Sequence, residues 1–371
     1  MTRALNFSAG PAVLPEPVLR KAQAALWDLD GTGIGVLEHS HRGPAFRAVL
    51  ERTTARIRAL AGLPDDYVVL YLTASASHHF ALVPQNFLPA GATADYCHTG
   101  VWSGKAIEEA RRIGAVHLAC DAGPAFDATP SQLAYSPAPA YVHYTSNETI
   151  YGTQWAAPPA GAPAPLVCDA SSDIFSRPLP VAGHGLIYAG AQKNLGPSGI
   201  SLVIAHRPFL ARRPEGLSPL TDYLRQADEG SLYNTPNTFG IYLIGEVAGW
   251  IADQGGLAAM ADHNAHKAGL LYDFLDHSRR WRAHAQPGSR SMMNVTFRAD
   301  QPALEAALLA EAERRGMSGL AGHRLRTHGG TTESKVPFIL SRPLAEAYRL
   351  RLAGEPLKSL QIFDYAINGT R

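Results

Sequence analysis

The chain has 371 residues, too many for one simple core, and one large plus one small domain is the natural expectation. Apolar residues make up 46% and charged residues 18%, a balance that folds and argues against a disordered chain. Lys and Arg number 33 against 32 Asp and Glu, so the net charge of +1 offers no basic excess for nucleic acid or an anionic membrane.

The opening MTRALNFSAGPAVLP lacks the apolar core of a signal peptide. No run of about 18 apolar residues follows, so neither a membrane span nor a membrane partner is expected, and the location expected is cytoplasmic. Gly31–Gly35 (GTGIG) has no strand before it and reads as a turn, not a dinucleotide fingerprint. Tyr67–Leu72 (YVVLYL) is a short β-branched and aromatic run, expected as a buried strand. A small-residue loop follows, then a helix from about His78. Glu108–Ile113 is expected to be helical. Tyr141–Tyr144, Pro165–Cys168, Leu186–Ala189 and Ile200–Ala205 are expected as further strands. Strands separated by helical segments imply βαβ units around a mainly parallel sheet. The Pro/Ala stretches at Ser136–Ala140 and Ala156–Pro165 suit surface loops. Cys97, Cys120 and Cys168 form no CxxC pair, which fits reduced thiols better than a disulfide framework.

Gly240–Asp253 is a mostly apolar helix and Asp262–His277 an amphipathic one. Met292–Phe297 and a helix near Pro302–Arg315 then suggest a small α+β domain. The boundary is placed near residue 256, giving a large domain over 16–256 and a small one from 1–15 and 257–371.

Lys193 is the first candidate for chemistry. It sits in AGAQKNLGPSG (Ala189–Gly199) between two apolar strands, where glycines and a proline fix a tight path. A lone lysine in a polar loop is usually a solvated charge. Here the buried flanks would desolvate it, lower its pKa and make its amine a better nucleophile for a carbonyl. Asp169 ends the apolar run of LVCDASSDIF, at a strand's C-terminal end where open α/β sheets bind ligands. A carboxylate there suits the ring nitrogen of a pyridine cofactor, and a cap or turn aspartate is the alternative. Asp173 competes but lies further from the strand end.

Thr73–His79 (TASASHH) joins strand to helix with small residues, as a weak phosphate-loop signal. Trp102, in the glycine-flanked HTGVWSGK, is either a core tryptophan or a ring that stacks on an aromatic cofactor. His41 and Arg42 are a surface basic pair or a site for phosphate or carboxylate. Asp262, His263 and His266 sit on a probable surface helix without a further ligand to complete a site, and no metal is expected.

Together these segments resemble phosphoserine aminotransferases, of the class V, fold-type I pyridoxal-phosphate enzymes. The resemblance runs in order from Asn6 to about Arg324: NFSAGPAVLP, SHRG, VWSGKA, SNETIYG, AGAQKNLGPSG, YNTPNTF, SMMNVTF and GLAGHR. It implies an α/β fold with a mainly parallel seven-stranded sheet flanked by helices, plus a small α+β domain. It implies that Lys193 carries pyridoxal 5'-phosphate as a Schiff base. By the same resemblance Asp169 pairs with the pyridine nitrogen, Trp102 stacks on the ring, and Thr149 bonds the ring hydroxyl oxygen. Ala76, Ser77 and Gln192 bind the cofactor phosphate. Asn234 and Thr235 reach the phosphate of the neighbouring subunit, so a homodimer with shared active sites is expected. His41, Arg42, His323 and Arg324 match positions that hold the substrate's phosphate and carboxylate.

The activity this resemblance implies is exchange between phosphoserine with 2-oxoglutarate and 3-phosphooxypyruvate with glutamate. Two departures stand against it. TASASHHF replaces a glycine-rich phosphate loop, with Ser77 in place of an arginine that some members use on the substrate phosphate; His78 or His79 is the candidate to supply that charge. After GHR the family continues with a segment whose arginine binds the α-carboxylate, whereas this chain reads LRTHGGTTESKVPFIL, leaving Arg326 or Lys335 as stand-ins. The alternatives are another class V aminotransferase or lyase, or a non-catalytic cofactor-binding homologue.

Overall fold

The computed structural model describes residues 3–321 and the strand 338–340. In chain order the first elements are β1 (Leu5–Asn6), α1 (Glu16–Trp27), α2 (Pro44–Ala61), β2 (Tyr67–Leu72), α3 (Ala76–Phe87), β3 (Thr93–His98), α4 (Val101–Arg111) and β4 (Ala115–Asp121). Next come β5 (Val142–Thr145), β6 (Asn147–Glu148), β7 (Thr153–Gln154), β8 (Leu166–Asp169), β9 (His184–Gly190), β10 (Ser201–His206), α5 (Arg207–Leu210) and α6 (Tyr223–Asp228). The rest are α7 (Thr238–Asp253), α8 (Gly256–His277), β11 (Trp281–Ala283), β12 (Val295–Ala299), α9 (Pro302–Arg314), β13 (Met317–Ser318) and β14 (Phe338–Leu340).

Seven strands form the central sheet in the order β2-β10-β9-β8-β5-β3-β4. Only β10 runs against its neighbours; the pairs from β9 through to β4 are parallel. Parallel neighbours need crossovers, which cover both sheet faces and demand strands apolar on both sides. All of β9 is buried. Its side chains alternate: Ile187 and Ala189 join the apolar cluster with α1, α2 and α7, while Leu186 and Tyr188 join the one with α3 and α4.

This order sets where a ligand can sit. The chain passes from β3 to β4 on one side, then returns to place β5 on the other side of β3. That reversal opens a crevice at the carboxyl ends of β3 and β5. The loops after β2, β3, β5, β8 and β9 all emerge at this one edge, because those strands run the same way.

A second, antiparallel sheet has the order β11-β12-β14. It packs with α8 and α9 around Trp281, Phe297, Leu271 and Leu308. The N-terminal β1 pairs in parallel with β13, and Phe7 joins that same cluster, so the two ends of the described chain meet.

Three local expectations need correction. Strands β3 and β4 were not expected, because TADYCH and AVHLACD mix polar with apolar residues. Asp95 is tolerated there since its carboxylate accepts bonds from Ser136 N and Oγ, at 2.8 and 2.7 Å. Trp102 lies in the first turn of α4, not in a loop. Strand β12 begins at Val295 instead of Met292, because Ser291 Oγ takes the N–H groups of Met293 and Asn294 into a turn.

Candidate active site

Lys193 stands in the turn between β9 and β10, which Ala191 closes by donating its N–H to Ile200 O at 3.0 Å. Its Nζ donates to Thr149 Oγ1 at 2.8 Å and lies 4.9 Å from the centroid of the Trp102 indole. Thr149 is fully buried. Desolvation pushes the Lys193 amine below the usual lysine range, opposed by the carboxyls of Asp169, Glu148 and Asp173. Gly10 of the N-terminal segment packs against the lysine stem: a Cβ there would sit 2.8 Å from Lys193 Cγ.

Asp169 ends β8 and is 4% exposed. Its Oδ1 accepts from Ser171 N at 3.0 Å and Ser171 Oγ at 2.6 Å. Ser171 Oγ in turn accepts from Gly190 N at 3.0 Å, which ties the ends of β8 and β9 together. Burial raises the Asp169 pKa, with Lys193 and the Ser171 bonds opposing. Asp173, the competing carboxylate, is held by Ser146, by Gln154 at 3.0 Å and by Arg177, so it braces the loop.

Ala76 opens α3, where Ser75 and the His78 side chain form a reciprocal cap. The Ala76 N–H and the Gln192 amide converge on Gly190: a Cβ there would meet Gln192 Oε1 at 2.9 Å and Ala76 N at 3.3 Å. Backbone donors at a helix N-terminus beside a side-chain amide can hold an anion. Ser77, one residue on, is exposed.

His79 cannot supply the charge expected of it. It is fully buried, stacks on Tyr188, and bonds Tyr223 Oη at 2.6 Å and Ser201 Oγ at 2.8 Å. Burial drives its pKa down to about 3, so it is neutral. His78 is exposed, with Nδ1 accepting from Ser75 N at 3.0 Å.

The other candidates lie outside this cluster. Arg42 lines a surface pocket with Arg47, Arg225 and Tyr233, and His41 precedes it. Asn234 and Thr235 are exposed, and Asn234 lines a cleft shared with Thr73, Ala74 and Ser77. His323, Arg324, Arg326 and Lys335 lie outside the described residues. Among the described residues no group of three or more His, Cys, Asp or Glu is placed to hold a metal ion. No helix among them is long and apolar enough to cross a membrane.

Sequence reasoning passed over Glu148, Ser171 and Gly10. All three lie within or beside quoted motifs, and Glu148 is the one acidic residue of SNETIYG. It is buried, its Oε2 accepts from Trp102 N at 3.1 Å, and desolvation pushes its pKa up to about 8.

The family model for class-V aminotransferases matches residues 4–325. The chain belongs to the class-V aminotransferase family. Among its curated relatives, phosphoserine aminotransferase of Herpetosiphon aurantiacus is 49% identical, over 86% of this chain and 90% of that one. Phosphoserine aminotransferase of Pseudomonas entomophila is 47% identical, over 87% and 90%. Among solved structures, phosphoserine aminotransferase from Bacillus circulans subsp. alkalophilus superposes with a TM-score of 0.91 at 40% identity, covering 99% of both chains. An alanine–glyoxylate aminotransferase from Nostoc shares the fold at 17% identity and a TM-score of 0.68. The class-V match ends one residue beyond Arg324, where the ordered motifs also end.

Proposed function

We propose that this class-V aminotransferase is a pyridoxal-phosphate enzyme that transaminates phosphoserine with 2-oxoglutarate, giving 3-phosphooxypyruvate and glutamate. The observation that carries the reading is the Lys193 amine, desolvated, 2.8 Å from Thr149 and 4.9 Å from Trp102, with a buried Asp169 in the same cluster. The relatives are named phosphoserine aminotransferases, and one solved neighbour, 38% identical over the whole chain, is described by its Schiff base.

These residues suit a flat, anionic, aldehyde-bearing ring. An amine whose pKa burial lowers suits the aldehyde, an indole the ring face, a buried carboxylate a ring N–H, and the Ala76 and Gln192 donors a phosphate. When bound, the cofactor supplies an electron sink that stabilises negative charge at the α-carbon of an amino acid. Lys193 would hold the cofactor, and its amine, once displaced by the incoming amino group, would serve as base and acid for the α-proton. Asp169 keeps the ring nitrogen protonated, and its burial among donors holds it in place. Trp102 fixes the ring plane and Thr149 orients the ring oxygen. Ala76, Ser77 and Gln192 hold the phosphate, with Asn234 and Thr235 from the second subunit. His41, Arg42, His323 and Arg324 take the substrate's phosphate and carboxylate.

A homodimer fits the exposed apolar side chains around residues 26–37, among them Trp27 at 86% and Leu37 at 61% exposure. The reading keeps the division into 16–256 and 1–15 with 257–371, and a cytoplasmic location.

Lys193→Ala should abolish turnover and the cofactor's visible absorbance together. Full transaminase activity in that variant would refute the assignment. A second reading, a different amino donor, is favoured by Ser77 where some relatives place an arginine. Rates with phosphoserine, serine, alanine and cysteine decide it: phosphoserine should exceed the others by at least about a hundredfold, the scale set by a lost charged recognition partner.

A further inference from the structure

Glu148 is 1% exposed and sits on β6, directly before Thr149. Its Oε2 accepts from the Trp102 N–H at 3.1 Å, and Oε1 accepts from the Ile150 N–H at 3.4 Å. The carboxyl thus caps the first turn of α4 from outside that helix, at the end where the helix dipole favours an acceptor. The fit is close. A Cβ on Gly100, just before α4, would fall 2.5–2.7 Å from Glu148 Cγ, Cδ and Oε2. The same short segment therefore holds two groups beside the Lys193 amine: Thr149 through its hydroxyl, and Trp102 through the Glu148 carboxyl.

We propose that Glu148 is a positioning residue of this active site, its carboxyl holding the first turn of α4 so that the Trp102 indole stays beside the Lys193 amine. The inference rests on the reading of Lys193 as the cofactor lysine and adds a residue to it. Lys193 and Asp169 are the charged groups facing Glu148, and Tyr151 lies near it on the same segment. Desolvation raises the Glu148 carboxyl to about 8, against the Trp102 N–H and the Lys193 charge. What the geometry asks of this side chain is an acceptor for the Trp102 N–H, so a neutral amide of the same size should replace it.

The test compares Glu148→Gln, which keeps an acceptor, with Glu148→Met, which keeps the volume and removes it. Both are prepared with cofactor and measured at pH 7 for kcat, KM and circular dichroism of the visible cofactor band. That band reports how asymmetrically the ring is held. Glu148→Met should lose at least about half of the band's dichroism per bound cofactor and about tenfold in kcat, the cost of a misplaced catalytic group, with KM little changed. Glu148→Gln should restore both to within about twofold of wild type. If Glu148→Met does not fold, Glu148→Asp, which withdraws the carboxyl by one methylene, should show the same losses. Unchanged dichroism and kcat in the acceptor-free variant overturn the proposal. So does a glutamine variant as impaired as the methionine one, since charge would then be what matters. A wild-type protein with no Lys193-dependent cofactor band would instead overturn the parent reading.

Discussion

If Lys193 carries the cofactor, its single unbranched side chain must reach it from a turn, so whatever packs on its stem sets where its amine can go. Gly10 does this from the far end of the sequence, where a Cβ would fall 2.8 Å from Lys193 Cγ. Gly10→Ala should therefore leave the fold and the cofactor absorbance in place while displacing the amine. A displacement of this kind costs about ten- to a hundredfold in kcat. A kcat within twofold of wild type, with cofactor bound, would show that the stem has slack. This contact was invisible in the sequence, where 183 positions separate the two residues. Asp169 was more legible: a carboxylate closing an apolar run announces a strand's carboxyl end, and β8 does end on it. Distance from the strand end favoured Asp169 over Asp173, but the sequence could not show what holds the second carboxylate. Ser146, Gln154 and Arg177 engage it, which is a matter of folded partners.

The elements were legible in proportion to how continuously apolar their residues are, not to how deeply they are buried. Strands β2, β9 and β10 are near-continuous apolar runs and were found; β3 and β4 were missed because they carry His, Asp and Cys among their apolar residues. Strand β5 shows how a polar residue survives at the centre of such a sheet. His143 is 1% exposed, stacks on Tyr96 and bonds Tyr188 Oη through Nε2 at 2.9 Å. Burial lowers its pKa from 6.5 to about 3. The unfolded chain thus binds a proton that the folded chain refuses between those two values. Stability from this group is complete above pH 6.5 and is lost as pH falls through that window, at about 1.4 kcal/mol per pH unit. His143→Gln keeps a bonding side chain but removes the titration. The variant should be the less stable protein at pH 7, and the gap to wild type should narrow by about 2 kcal/mol at pH 5. Denaturant unfolding at the two pH values measures it; a gap that stays constant or widens contradicts the buried neutral histidine.

Over the whole molecule, one chain gathers Lys193, Thr149, Trp102, Asp169, Ala76 and Gln192 at one sheet edge, because five strands deliver their loops there. It leaves Arg42 in a surface pocket and Asn234 exposed. The resemblance implies that Asn234 serves the neighbouring subunit's site, and mixing subunits tests it. If Asn234 serves the neighbouring site, a dimer of Lys193→Ala with Asn234→Ala has one site lacking both residues and one site lacking neither. Random reassociation of equal amounts makes about half the dimers mixed, each with one intact site of two, so about a quarter of wild-type activity should return from two weakly active parents. If Asn234 instead serves the site of its own chain, across the cleft it lines with Thr73, Ala74 and Ser77, every mixed dimer carries one defect in each site. Mixing then returns nothing above the parents' average. Recovery would also require that subunits exchange, which sedimentation of a mass-tagged parent verifies in the same samples. Recovery near a quarter therefore establishes both the dimer and the crossing of Asn234 between subunits, while exchange without recovery assigns Asn234 to its own chain.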